Sequence, residues 1–219
     1  MGEMTAETFR KLYWKNYISI EEEFIQTERF VAFDICNYTT YSSAFLKLLL
    51  EIGSEIDILA RYFCSEGLGQ NNISNINDYK TYILPNVPEF ERVRVVSESF
   101  DEIPWQNWSM RNPGWWTAYN KIKHERFKVG TIEDITQEYY KFANQGNVIK
   151  ALMGLYQLEI YVLRTLIKRE GKKEGHSFLK STLFSLDGEG WISGSFHKEG
   201  GLFYEGGTLV FDGKIAIVK

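Results

Sequence analysis

Apolar residues recur at spacings of three and four between Tyr41 and Cys64: Phe45, Leu48, Leu49, Ile52, Ile56, Leu59, Ala60 and Phe63. That period buries one face of a helix. Thr39, Thr40 and Ser42 offer N-caps ahead of it, and the EGLG run ends it. A second stripe, Val148, Ala151, Leu152, Leu155, Leu158, Val162 and Leu166, predicts a long helix over Asn147–Arg169. Lys168 and Arg169 suit its C-terminus, and Gly171 is its stop. Residues 16–34 are also read as helical, with Ile18, Phe24, Ile25 and Phe30 sharing an apolar side. Glu21, Glu22 and Glu23 are placed near the start of that helix, where acids complement its dipole. A further helix is expected from Asn112 as N-cap, with Pro113 as its first residue, through WWTAYNKIKHERF.

Between these helices the pattern changes. GLGQNNISNIND is a polar, turn-rich stretch, ISNINDYKTYIL holds a short helix, and ERVRVVSE alternates like a strand. EIPWQNWSMRNPGWW reads as an aromatic loop. From Gly188 onward the chain is glycine-rich, and TLVF-DG-KIAIVK has the form of a hairpin with a type I′ turn. The expected fold is mainly α: a helical bundle with a short strand insertion and a small C-terminal β-rich tail. We divide it into a helical domain, 1–182, and a glycine-rich β tail, 183–219, packed on it.

Composition narrows the function. With 44% hydrophobic residues in 219, the chain has material for a large core. A net charge of −4 lacks the basic excess of proteins that coat duplex DNA, so nucleic-acid contact would need a local patch. No run approaches the roughly 20 apolar residues that span a bilayer, and the first residues lack a signal peptide's apolar segment. Cys36 and Cys64 have no metal-ligand spacing, so we expect two free thiols in a reducing cytoplasm. No metal or cofactor motif is present: GEGWISG lies among hairpins, not between a strand and a helix.

Three histidines occur. His176 and His197 have no companion residues that suggest chemistry. His124 lies in YNKIKHER, four residues after Asn120 and so on the same helical side. Lys121, Lys123 and Arg126 flank it. A histidine titrates near ~6.5 and can move a proton at neutral pH, while the cations would hold a phosphodiester. That set suits metal-free RNA cleavage, with Asn120 orienting His124. The plainer reading is a solvated helix face. Trp105, Trp108, Trp115, Trp116 and Tyr119 could line an aromatic pocket that stacks bases or holds a small molecule, or could simply be core. Glu55 and Glu159 sit beside the apolar stripes, either at their wet edge or buried and in need of a partner.

The segments YSSAFLKLLLEIGSEIDILAR, PGWWTAYNKIKHER and NVIKALMGLYQLEIYVL resemble a group of bacterial proteins that is in turn similar to the HEPN superfamily. The resemblance covers about Ile18–Arg169. It implies a helical bundle that dimerises and binds or cleaves RNA without a metal, in phage defence or a toxin system. His124 matches the HEPN histidine. The HEPN arginine would stand five to seven residues earlier, where this chain has Tyr119, Ala118 and Thr117. Members without catalysis act as interaction modules, which is the alternative expectation.

Overall fold

The computed structural model describes residues 4–171 and 181–187, together with strands at 204–205, 208–211 and 214–217. The chain opens with α1 (Ala6–Phe9), a π-turn at Arg10–Trp14 and α2 (Lys15–Thr27) in one continuous run. It continues through α3 (Ser43–Tyr62), a second π-turn at Phe63–Gly67 and α4 (Ile76–Asn86). Then come β1 (Arg94–Val96), β2 (Asp101–Glu102), α5 (Gly114–Glu125), the hairpin β3 (Val129–Ile132) and β4 (Ile135–Glu138), and α6 (Gln145–Arg169). β5 (Ser185–Asp187) pairs antiparallel with β1, giving the order β2-β1-β5. The fold is mainly α with small sheets.

The α3 stripe is buried at all eight expected positions. Ser42 caps the helix, its side chain accepting from the Phe45 amide. Gly69, in the EGLG run, takes a left-handed φ of 67°, and Gly171 after α6 takes 61°. Both break their helices without the penalty a Cβ would bring.

Four expectations need correction. All seven α6 stripe positions are buried, but so are Gln157, Glu159, Ile160 and Tyr161 on its other sides. α6 is the central helix, wrapped by α1, α2, α3 and α5, not a surface helix with one buried face. In α2 the buried positions are Tyr17, Ile20, Glu21, Phe24 and Thr27, while Phe30 is 87% exposed. The helix ends at Thr27, so Phe30 loses the helical phase that would have turned it inward. Because the helical run begins at Ala6, Glu21 lies in mid-helix and not at a start. α5 begins at Gly114, with Pro113 extended at the cap and no side-chain cap from Asn112.

β3 and β4 join through Glu133 and Asp134, both at left-handed φ (48° and 67°), as a two-residue type I′ turn demands. In the tail, β6 (Tyr204–Glu205), β7 (Thr208–Phe211) and β8 (Lys214–Ile217) form an antiparallel sheet. Phe211 pairs with Lys214, so the TLVF and KIAI hairpin forms as expected. Its Asp212-Gly213 turn, the Gly188 region, His176 and His197 lie outside the described residues.

Candidate functional site

α5 approaches α3 closely because Gly53 has no side chain. A Cβ there would lie 2.3 Å from the Tyr119 ring. The Tyr119 ring thus rests on the α3 backbone and fixes the rotation of α5. Tyr119 and Trp116 are 3% and 5% exposed, and their rims form the floor of a cleft of about 490 Å³. Asn112, Thr117, Asn120, Lys121 and Lys123 complete the α5 side. The facing side comes from Asp57 of α3 and from Ser74–Asn77, where α4 begins.

That facing side is held rigidly. The Asp78 carboxylate accepts from the Ser74 and Asn75 amides at 2.8 and 3.1 Å, while Asn75 accepts from the Asn77 amide at 2.9 Å. This is a capping box, which satisfies the otherwise unpaired donors of the first helical turn. Asp57 accepts from the Tyr79 hydroxyl at 2.7 Å and pairs with Arg61 at 3.2 Å, so its charge is already met. Burial, then that hydrogen bond to Asp57, pushes the Tyr79 phenol well up, so it stays a donor.

On α5, the Lys123 ammonium donates to the Tyr119 hydroxyl at 3.2 Å and lies 5.3 Å from the centre of that ring. Lys121 pairs with Glu125 at 3.3 Å and sits 5.3 Å from the Tyr139 ring. The Lys121 hydrogen bond, helped by Lys128, holds the Glu125 carboxyl below its usual range. Both ammonium groups keep unused N–H donors. Asn120 donates to the Trp116 carbonyl at 3.2 Å, leaving its amide oxygen available. The Asn112 Oδ1 is shielded from water and has no hydrogen-bond partner among the described residues.

The sequence-derived candidates therefore separate. Asn120, Lys121, Lys123, Trp116 and Tyr119 share one cleft. His124 and Arg126 are exposed outside its lining. Among the described residues no hydrogen bond fixes the His124 ring, and Asn120 is turned to Trp116 instead of orienting it. Trp105, Trp108 and Trp115 are at most 2% exposed and belong to the core. Trp105 donates to the Gly154 carbonyl of α6 at 3.2 Å, and Trp115 to the Pro104 carbonyl at 2.7 Å. Trp116 and Tyr119, 5% and 3% exposed, are core residues too and reach the cleft only at their edges, so the expected aromatic pocket does not form. Asp57 and Ser74–Asn77 were missed, because nothing in the polar stretch before α4 signals that it faces α5.

Among the described residues no group of three His, Cys, Asp or Glu side chains could hold a metal ion. No helix of those residues is long and apolar enough to cross a membrane. No family model, curated protein or solved structure matches the chain. The HEPN resemblance rests on the motifs quoted above.

Proposed function

We propose that the protein binds single-stranded RNA non-catalytically, through the cleft between α5 and the start of α4. The carrying observation is the convergence of Asn120, Lys121 and Lys123 with amide side chains and two aromatic rims in one concave site. Amides offer both donors and acceptors to a base edge, the ring edges offer apolar contact, and ammonium groups attract phosphate. Binding without cleavage is favoured because His124 stands outside the cleft, with no residue among those described to orient it. Two free thiols, one of them exposed, fit a cytoplasmic setting. Self-association as a homodimer is part of the same proposal and would show in sedimentation velocity.

The test incubates labelled single-stranded RNA with purified protein in EDTA, beside His124→Ala. Retention of intact RNA, equal in both proteins, is the expected result. Cleavage leaving 2′,3′-cyclic phosphate ends, lost in His124→Ala, would replace this reading with a ribonuclease. Absence of any binding would remove it.

A further inference from the structure

The β3–β4 hairpin forms a sheet of two strands only, and the tail strands pair among themselves. Ile132 faces Ile135 beside the two-residue turn, and the Lys128 carbonyl accepts from the Tyr139 amide. Backbone groups of an antiparallel strand alternate in direction. Those of Lys128, Gly130 and Ile132 therefore point to β4, and those of Val129 and Thr131 point outward. Among the described residues no hydrogen bond takes these outward groups. The register runs one to one, so no bulge disturbs the edge, and it holds no proline. Such an edge is a template for a further strand. Phe127 and Val129 at its start are 90% and 64% exposed. Tyr139 fills the place of a side chain at Gly130 and fastens the strand to the bundle.

Two charges mark the ends of this edge. Arg126 precedes β3 and Asp134 follows it. Both are exposed, and neither has an ion pair or hydrogen bond among the described residues. Four strand residues, roughly 13 Å, separate them, so they do not meet within one chain. A second copy laid antiparallel along β3 brings them together twice. With the two-fold axis at Gly130, Val129 of each copy exchanges two N–H···O=C bonds with Thr131 of the other. Arg126 then reaches toward the other copy's Asp134. The outer edge of β4 offers no such match. Its Glu138 is already paired with Lys141 at 2.8 Å, so no free cation there awaits Asp134.

We propose, resting on the self-association reading above, that β3 pairs antiparallel with β3 of a second copy, making a four-stranded sheet β4-β3-β3-β4 across a two-fold axis. Strand pairing over four residues is a small contact beside the roughly 1,200–2,000 Å² of a stable interface, so the dimer is weak and concentration-dependent. Its exposed ion pairs make it weaker still at high salt.

Sedimentation velocity over a protein concentration series, without RNA, measures the dimer dissociation constant. Thr131→Pro removes an outward N–H from each copy at an edge position that accepts proline, and should raise the constant by about tenfold or more. Thr131→Val loses the hydroxyl shared with Thr136 but keeps the N–H, and should stay within about threefold of the wild type. Arg126→Asp and Asp134→Arg each set like charges against one another, and each should weaken the dimer by about tenfold at low salt. Combined in one chain they restore opposite charges and should recover most of the loss. Circular dichroism of each variant checks the fold.

A dimer that survives Thr131→Pro, or charge variants whose losses add instead of cancelling, would overturn the β3 pairing while self-association stands. A wild type that stays monomeric at every concentration would remove both. The β3 strand lies outside the cleft lining, so RNA retention reports on the cleft separately.

Discussion

Two buried glutamates show how burial acts at the scale of single residues. Glu21 is 0% exposed and fully partnered: it accepts from the Tyr17 hydroxyl at 2.6 Å, the Thr182 amide at 2.8 Å and the Ser181 hydroxyl. Glu159 is 1% exposed, and its Oε2 has no hydrogen-bond partner among the described residues. Burial first, then the charge of Glu55, raises the Glu159 carboxyl well above its ordinary range. The half-buried Glu55 is raised too, mainly by burial. Burial and the Glu55 charge therefore favour the neutral form of Glu159 in the native protein over the unfolded chain, where its carboxyl is in water. Between the unfolded and folded pKa values the native state holds more protons. Stability then falls as pH rises, by up to about 1.4 kcal/mol per pH unit. Glu159→Gln keeps the shape and removes the titration. It should stabilise the protein at pH 8 by about 1–3 kcal/mol, with the gain shrinking toward pH 4.5 in urea melts. Glu55 titrates in the same direction, so the slope should diminish and not vanish. A gain independent of pH would show that Glu159 is ionised in the folded protein.

At the scale of elements, legibility followed the number of independent signals that agreed. α3 had period, cap and stop together, and every predicted core position is buried. α6 had a clear stripe, but nothing marked Gln157 beside it, and Glu159 could be read either at the wet edge or as a buried acid. Gln157 is buried and donates to the Phe90 carbonyl at 2.7 Å, from a loop far away in sequence, while its Oε1 has no hydrogen-bond partner among the described residues. Periodicity carries no trace of such a partner. The cleft was half legible for the same reason: its α5 side is one continuous motif, and its other side depends on how α4 packs. Gly53 joins these levels. Within a helix, Gly→Ala ordinarily stabilises by about 1 kcal/mol. Here the new methyl would drive into Tyr119, whose ring is 3% exposed and unable to swing away. Overpacking of that kind costs about 1–3 kcal/mol. Gly53→Ala should thus be destabilising on balance and should weaken RNA binding, since Tyr119 also positions Lys123. A stabilised Gly53→Ala with unchanged binding would mean that α3 does not set the rotation of α5.

At the scale of the whole molecule, the question is what brings the chain back after α6. Residues 181–187 return to the α2 side of the bundle, and β5 extends the β1–β2 sheet. Phe184 is fully buried, 5.9 Å from the Tyr156 ring of the central helix, and Leu186 is 1% exposed. Apolar contact would hold such a segment but would not choose its register, because neighbouring apolar residues could take the same places. Glu21 supplies the choice. Its two oxygens meet the Ser181 hydroxyl and the Thr182 amide, while the Ser181 oxygen accepts from the Leu183 and Phe184 amides at 3.1 and 2.8 Å. Only one placement of the turn satisfies all of these groups. A single glutamate on α2 thus anchors a segment about 160 residues later in the chain. Glu21→Gln and Ser181→Ala should each destabilise, by about 1–3 kcal/mol for the unpaired buried groups they leave. Because the two groups touch, their effects should not add: a double-mutant cycle should give a coupling of about 0.5–3 kcal/mol. Amide exchange at Arg94 and Val96 should quicken in both variants, since their N–H groups face β5 while that of Ser97 bonds to Phe100 on the β2 side. Additive losses with unchanged exchange would mean that Phe184 and the strand pairing alone hold the segment, and that the buried acid serves α2 only.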